Sequence, residues 1–107
     1  MNGYFFDMDG TLYNNKFHEV SKKTFEMLNE LQVQGHYVAL CTSRCQRELK
    51  NLPSCMRNFQ FDCMISDGGA LILGKDREII EMNCIPKETM KRIDLFCKEH
   101  HLEYRYS

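Results

Sequence analysis

Gly3-Tyr4-Phe5-Phe6-Asp7-Met8-Asp9-Gly10-Thr11-Leu12 is the stretch on which the fold turns. A short apolar run that ends in a carboxylate reads as a buried strand running into a polar edge. Residues 8–18, MDGTLYNNKFH, follow as a loop rich in Gly, Asn and Asp. Ser21 is then placed to cap a helix whose inner face carries Phe25, Leu28 and Leu31, and Gly35 is a natural stop for it. Residues 36–42, HYVALCT, read as a second strand, and a polar helix is expected from Arg44 to Leu52, broken at Pro53. Residues 61–67, FDCMISD, read as a third strand.

Strand, helix, strand, helix, strand argues for a parallel sheet with right-handed crossovers, an α/β fold of Rossmann-like type. The texture changes after Gly68 and Gly69. The runs ALILG and REIIEMN face each other across Gly74, Lys75 and Asp76, which predicts a β-hairpin. Pro86 suits the first turn of a helix carrying Met90, Ile93 and Cys97 on one face. Residues 101–107, HLEYRYS, read as the beginning of another strand.

In an open parallel sheet the ligand pocket lies at the carboxyl ends of the strands, which is where Asp7 falls. Residues two apart in an extended chain point the same way, so Asp7 and Asp9 are expected to face one pocket. Two carboxylates there suit Mg²⁺, which takes hard oxygen ligands and helps neutralise a phosphate. One carboxylate can attack phosphorus while the other handles protons. Gly10 allows a sharp turn with no side chain in the way. A calcium loop of the EF-hand kind is excluded, because it needs glycine at its sixth position, and counting from Asp7 that position is Leu12. An acidic turn without chemistry remains the bland alternative.

Two weaker signals accompany the first. Leu40-Cys41-Thr42-Ser43-Arg44 places hydroxyls and backbone N–H groups after the second strand, suited to a phosphate oxygen, although such residues are ordinarily helix caps. Ile65-Ser66-Asp67-Gly68-Gly69-Ala70 puts a carboxylate after the third strand, where Asp67 either joins the pocket or begins the turn to the hairpin.

The bulk properties narrow the class. The 107 residues carry 14 Lys+Arg against 15 Asp+Glu, a net charge of -1, so no basic field is available to attract nucleic acid. A hydrophobic content of 43% fits a globular chain. No apolar run approaches the roughly 20 residues that span a bilayer, and no targeting peptide is read at the N-terminus. The six cysteines contain no C-x-x-C pair. Without a signal for an oxidising compartment they read as reduced thiols, which predicts a cytoplasmic setting.

Taken together, DMDGTL at 7–12, LCTSR at 40–44 and ISDGGALI at 65–72 resemble the haloacid dehalogenase superfamily, and within it the Cof-type, sugar-phosphatase-like branch. The resemblance implies that Asp7 is the nucleophile and Asp9 the general acid/base. It implies Mg²⁺ held by the Asp7 carboxylate and the backbone carbonyl of Asp9, and a phosphoryl group oriented by Thr42. Gly10, Ser43 and Asp67 are weaker candidates for the same site. Residues 1–83 would be the N-terminal portion of the core, and 84–107 the beginning of a cap. The branch commonly carries T-G-R where this chain has Thr42-Ser43-Arg44, and N-G-A where it has Asp67-Gly68-Gly69-Ala70.

The implied activity is a Mg²⁺-dependent phosphomonoesterase acting on small phosphorylated metabolites through an aspartyl-phosphate. The family also uses a later lysine and a later acidic pair, which have no counterparts here, so weak or absent turnover is expected of this chain alone. Two other readings compete. One is a non-catalytic remnant of the same fold; the other is a receiver-like domain with Asp67 as phosphoacceptor, which lacks a G-T-L continuation. The family's first strand is central, so here Tyr4-Phe5-Phe6 is expected on an open edge, inviting a homodimer or other self-association.

Overall fold

The computed structural model describes residues 1–103. The chain runs β1 (Gly3–Asp7), α1 (Lys22–Val33), β2 (Tyr37–Cys41), α2 (Gln46–Leu49), α3 (Ser54–Arg57) and β3 (Cys63–Ser66). A 3₁₀ turn over Asp67–Gly69 leads into β4 (Leu71–Gly74), β5 (Ile79–Met82) and α4 (Lys87–Glu99). Among the described residues the strands form one sheet in the order β1-β2-β3-β4-β5. β1, β2 and β3 are parallel, and β4 and β5 are added antiparallel. The α/β class and the hairpin expected from the sequence are both present.

The local chemistry that makes these elements is plain at α1. The Ser21 hydroxyl accepts the Thr24 N–H at 3.1 Å, satisfying one of the donors a helix start leaves open. At the other end Gly35 sits at φ 84, its N–H donating to the Gln32 carbonyl while the His36 N–H donates to Leu31. That pair of bonds is a Schellman stop, and it turns the chain straight into β2.

The sheet buries one face. Register aligns Phe6 with Leu40, Leu40 with Met64 and Met64 with Leu73, so these side chains share a side. They pack with Leu28 of α1 and with Leu49, Leu52, Met56, Phe59 and Phe61 from the segment between β2 and β3. Phe59 meets Phe61 edge-on at 4.7 Å and Phe25 at 6.1 Å, tying α1 to that segment. The opposite side carries Phe5, Ala39 and Cys63 in one row, and Phe5 is 61% exposed. Parallel strands usually have helices on both faces; consecutive right-handed crossovers in one direction put these helices on the same face.

Three expectations need correction. No continuous helix runs from Arg44 to Leu52: only the single turn α2 forms there, and after the expected break at Pro53 a second single turn, α3, begins. Arg44 lies outside the helix because its N–H donates to Thr42 and its carbonyl accepts from Asp67. The segment is also less polar in role than in composition, since Leu49, Leu52 and Met56 are buried. Lastly, residues 101–103 are not in a strand, and the rest of that expected strand lies outside the described residues. The expected helix after Pro86 is present as α4, with Cys97 buried on its inner face.

With a radius of gyration of 16.7 Å and extents of 53 × 32 × 19 Å, the chain is elongated, against about 13 Å for a compact domain of this length. All six cysteines are unpaired. Among the described residues no helix is long and apolar enough to cross a membrane.

Candidate active site

The pocket sits where β1, β2 and β3 end. Asp7, Cys41, Thr42, Ser43, Ile65, Gly68 and Gly69 line an open cavity of about 330 Å³. Parallel register explains the meeting: Asp7 is aligned with Cys41, and Cys41 with Ile65, so the loops after all three strands leave at one level. One Asp7 oxygen accepts the N–H of Met8 at 2.9 Å, which orients the carboxylate.

Thr42 is buried, and its N–H donates to the Ile65 carbonyl at 2.8 Å. Its Oγ1 accepts the Arg44 N–H at 3.0 Å, which leaves the hydroxyl proton free to donate into the pocket. Gly68 and Gly69 stand at φ 65 and 103, a left-handed pair that bends the backbone along the wall. Cys41 brings a thiol to the same lining. Burial, with Cys63 and Asp7 nearby, pushes its thiol up from the ordinary value, so it stays protonated and poorly reactive.

Asp9 is placed differently from the sequence expectation. β1 ends at Asp7, and the chain then curls tightly, with the Met8 carbonyl accepting from Thr11, Leu12 and Tyr13. Two-residue alternation therefore stops before Asp9, which is not in the pocket lining. Gly10, at φ 81, supplies the left-handed step of this curl; open space surrounds the position, so conformation rather than room requires glycine.

The Asp9 carboxylate is gripped by Arg44, whose Nε and Nη2 donate to its two oxygens at 2.9 and 2.7 Å. Arg44 also lies over the Tyr13 ring at 5.3 Å and donates from Nη1 to the Glu48 carbonyl. The hydrogen bond from Arg44, aided by its charge and against the opposing effect of burial, holds the Asp9 carboxyl below its ordinary range. Sequence reasoning had left Arg44 out of the site. The signal was available: an arginine two residues beyond Thr42, within reach of an acidic turn, is the side chain able to bind a carboxylate with two parallel bonds.

Asp67 also lies outside the pocket lining, although its neighbours Gly68 and Gly69 are in it. Its φ of 54 is left-handed, and its N–H donates to the Arg44 carbonyl. Its Oδ1 is buried without a hydrogen-bond partner. Of the two roles weighed for Asp67, joining the pocket or beginning the turn to the hairpin, its backbone takes the second, at the head of the 3₁₀ turn.

A cavity at the carboxyl edge of the parallel strands, with a carboxylate, a buried hydroxyl and glycine-rich backbone around it, is the ligand-binding position of open α/β proteins. The comparisons give the family. The family model for haloacid dehalogenase-like hydrolases matches residues 4–107, and the chain belongs to that family. A search of curated proteins found no similar sequence.

Among solved structures, the chain resembles a haloalkanoate-superfamily phosphatase from Bacteroides thetaiotaomicron, with TM-score 0.81 and 22% identity over 94% of this chain and 36% of that one. A haloacid dehalogenase-like hydrolase from B. subtilis gives TM-score 0.79 and 25% identity over 94% and 34%. A subclass IIB sugar phosphatase of the superfamily gives TM-score 0.74 and 27% identity over 94% and 38%. The chain thus spans little more than a third of the length of these structures.

Proposed function

We propose that this chain carries the nucleophile half of a phosphomonoesterase site, with Asp7 attacking phosphorus to form an aspartyl-phosphate. The observation that carries this reading is the meeting of Asp7, Thr42 and the Gly68–Gly69 backbone around one cavity. An incoming phosphate monoester sets its phosphorus against the free Asp7 oxygen, and the Thr42 hydroxyl donates to a non-bridging oxygen. The alkoxide leaves as the Asp7 oxygen bonds to phosphorus, and water later cleaves that acyl phosphate to return Asp7 and release inorganic phosphate.

Asp9 is the proton-handling group of this scheme. Arg44 holds both of its oxygens, so at neutral pH it is a carboxylate that must be released from that grip to accept a proton from the attacking water. Donation to the leaving group requires the Arg44 grip to slacken.

The donor set suits Mg²⁺ in part. The Asp7 carboxylate and the Asp9 carbonyl are hard oxygens, and Mg²⁺ keeps several waters in such sites. The Asp9 carboxylate is committed to Arg44, and no group of three His, Cys, Asp or Glu able to hold a metal ion occurs among the described residues. When bound, the ion supplies positive charge against the phosphoryl oxygens. The lining of the cavity contains no cationic side chain, so slow turnover is expected of the isolated chain.

The substrate class we infer is small phosphorylated metabolites, in keeping with the sugar phosphatase among the similar structures. The segment from residue 84 onward, with α4, would begin the cap that selects among them. The unpaired thiols support a reducing, cytoplasmic setting.

The test is hydrolysis of an aryl phosphate in the presence of Mg²⁺, with mass spectrometry of the acid-quenched protein. A phosphoryl adduct mapped to Asp7, absent in Asp7→Asn, is the expected result. An adduct on Asp67 would favour the receiver-like reading, and no adduct or turnover above the Asp7→Asn level would favour the non-catalytic remnant.

A further inference from the structure

On the helix-bearing side of the sheet lies a second cavity, of about 110 Å³. Alternation along the strands separates it from the Asp7 pocket: Asp7, Cys41 and Ile65 face one side, Leu40 and Met64 the other. Met8, Leu40 and Met64 form its floor, and Leu49, Leu52 and Met56 wall it from the segment between β2 and β3. All six are buried. Two single turns joined at Pro53 cover less of the sheet than a continuous helix would, and this space is what they leave.

The rim has the opposite character. Lys50, Arg57 and Arg77 border the cavity, no carboxylate lines it, and among the described residues none of the three cations forms a salt bridge. Arg77 is held in place. It comes from the β4–β5 turn with a left-handed φ of 61, and its Nη2 donates to the Arg57 carbonyl at 2.9 Å. That bond ties the hairpin to the end of α3 and leaves the remaining guanidinium N–H groups for another acceptor. The acidic side chains of the same turn are occupied: Asp76 accepts from the Gln60 amide, and Glu78 accepts the Asp76 N–H.

We infer that this cavity binds a small organic carboxylate, its apolar body seated among the methionines and leucines and its head paired with Arg57 and Arg77. Size sets the body. An apolar cavity of roughly 150 Å³ takes a benzene molecule, so about 110 Å³ suits a branched alkyl chain, or a phenyl ring that stays partly in the mouth. Charge sets the head. A neutral guest would gain nothing from the three cations, and an inorganic anion would leave the apolar floor unfilled. The lining has no glycine and no hydroxyl, the groups that surround the Asp7 cavity, whereas a flat carboxylate matches a guanidinium fork. The two cavities share no lining residue, so a carboxylate seated here does not compete for the phosphate position.

The experiment is a titration of the 107-residue chain, with methyl-labelled methionines, by sodium phenylacetate, followed by NMR. Saturable shifts are expected at Met8, Met56 and Met64, with Met1, Met27, Met82 and Met90 unmoved. Acetate, which lacks the body, should move none of them, and phenylacetamide, which lacks the charge, should bind about tenfold more weakly. Arg77→Gln should weaken phenylacetate binding about tenfold, and Arg57→Gln should act in the same direction. Lys75→Gln, on the same turn as Arg77 but outside this lining, should leave the affinity unchanged. Both arginines are exposed, and spectra of the variants without ligand check that the fold is kept. Where a variant loses the fold, the comparison with phenylacetamide decides. Phenylacetate that leaves Met8, Met56 and Met64 unmoved, shifts all the methionines alike, or binds no better than phenylacetamide overturns the proposal. So does an affinity indifferent to both arginine variants.

Discussion

Arg44 joins the separate pieces of the site. Its side chain holds Asp9, its N–H meets Thr42, and its carbonyl receives the N–H of Asp67. Replacing it by glutamine removes two charge-assisted bonds and should cost on the order of 2 kcal/mol, read as a lower urea midpoint at neutral pH. The pH dependence has a definite sign. Asp9 is depressed below its ordinary 3.8, so its contribution is present above that value and is lost as pH falls through the lower, folded value. The gap between wild type and Arg44→Gln should accordingly narrow below about pH 4. At Asp67 the opposite change is expected to help. Its buried, unpartnered oxygen is the feature a neutral amide tolerates best, and asparagine also accepts the left-handed backbone. Asp67→Asn should raise the urea midpoint, by about 1 kcal/mol. At this scale the sequence disclosed the strand-end carboxylate and the hydroxyl, because strand endings and loop composition mark both. It did not disclose the Asp9–Arg44 pair, since no local pattern says which of several arginines a turn will meet.

Elements were legible where their ends carry chemistry. α1 could be read from Ser21 to Gly35 because a cap and a left-handed stop are local devices. Ser21→Ala should cost about 1 kcal/mol in thermal or urea unfolding, and Gly35→Ala a similar amount, since alanine at φ 84 is strained. The hairpin was legible from its turn residues and paired apolar runs. The stretch between β2 and β3 was not. Its polar composition suggested one polar helix up to Pro53, yet Leu49 and Met56 fill the core from two single turns and Leu52 from the link between them. Contacts with the sheet decide that segment, and such contacts leave no periodicity in so short a run.

For the molecule as a whole, the one-sided core sets where substitutions are felt. Leu28 is fully buried against that face, so Leu28→Ala should cost about 2–5 kcal/mol in urea unfolding. Parallel pairing also has a consequence for the order in which the chain folds. β4 and β5 are neighbours in sequence and can zip together locally, in microseconds for hairpins of this kind. β1, which bears Asp7, gains its first strand partner only once Tyr37–Cys41 has been made and α1 has turned the chain back. On a ribosome adding about 5–20 residues per second, that leaves Tyr4-Phe5-Phe6 unpartnered for seconds. Of the five strands, the one that bears Asp7 thus waits longest for a partner. A nascent chain halted before β2 should be a better chaperone client than one halted just after it.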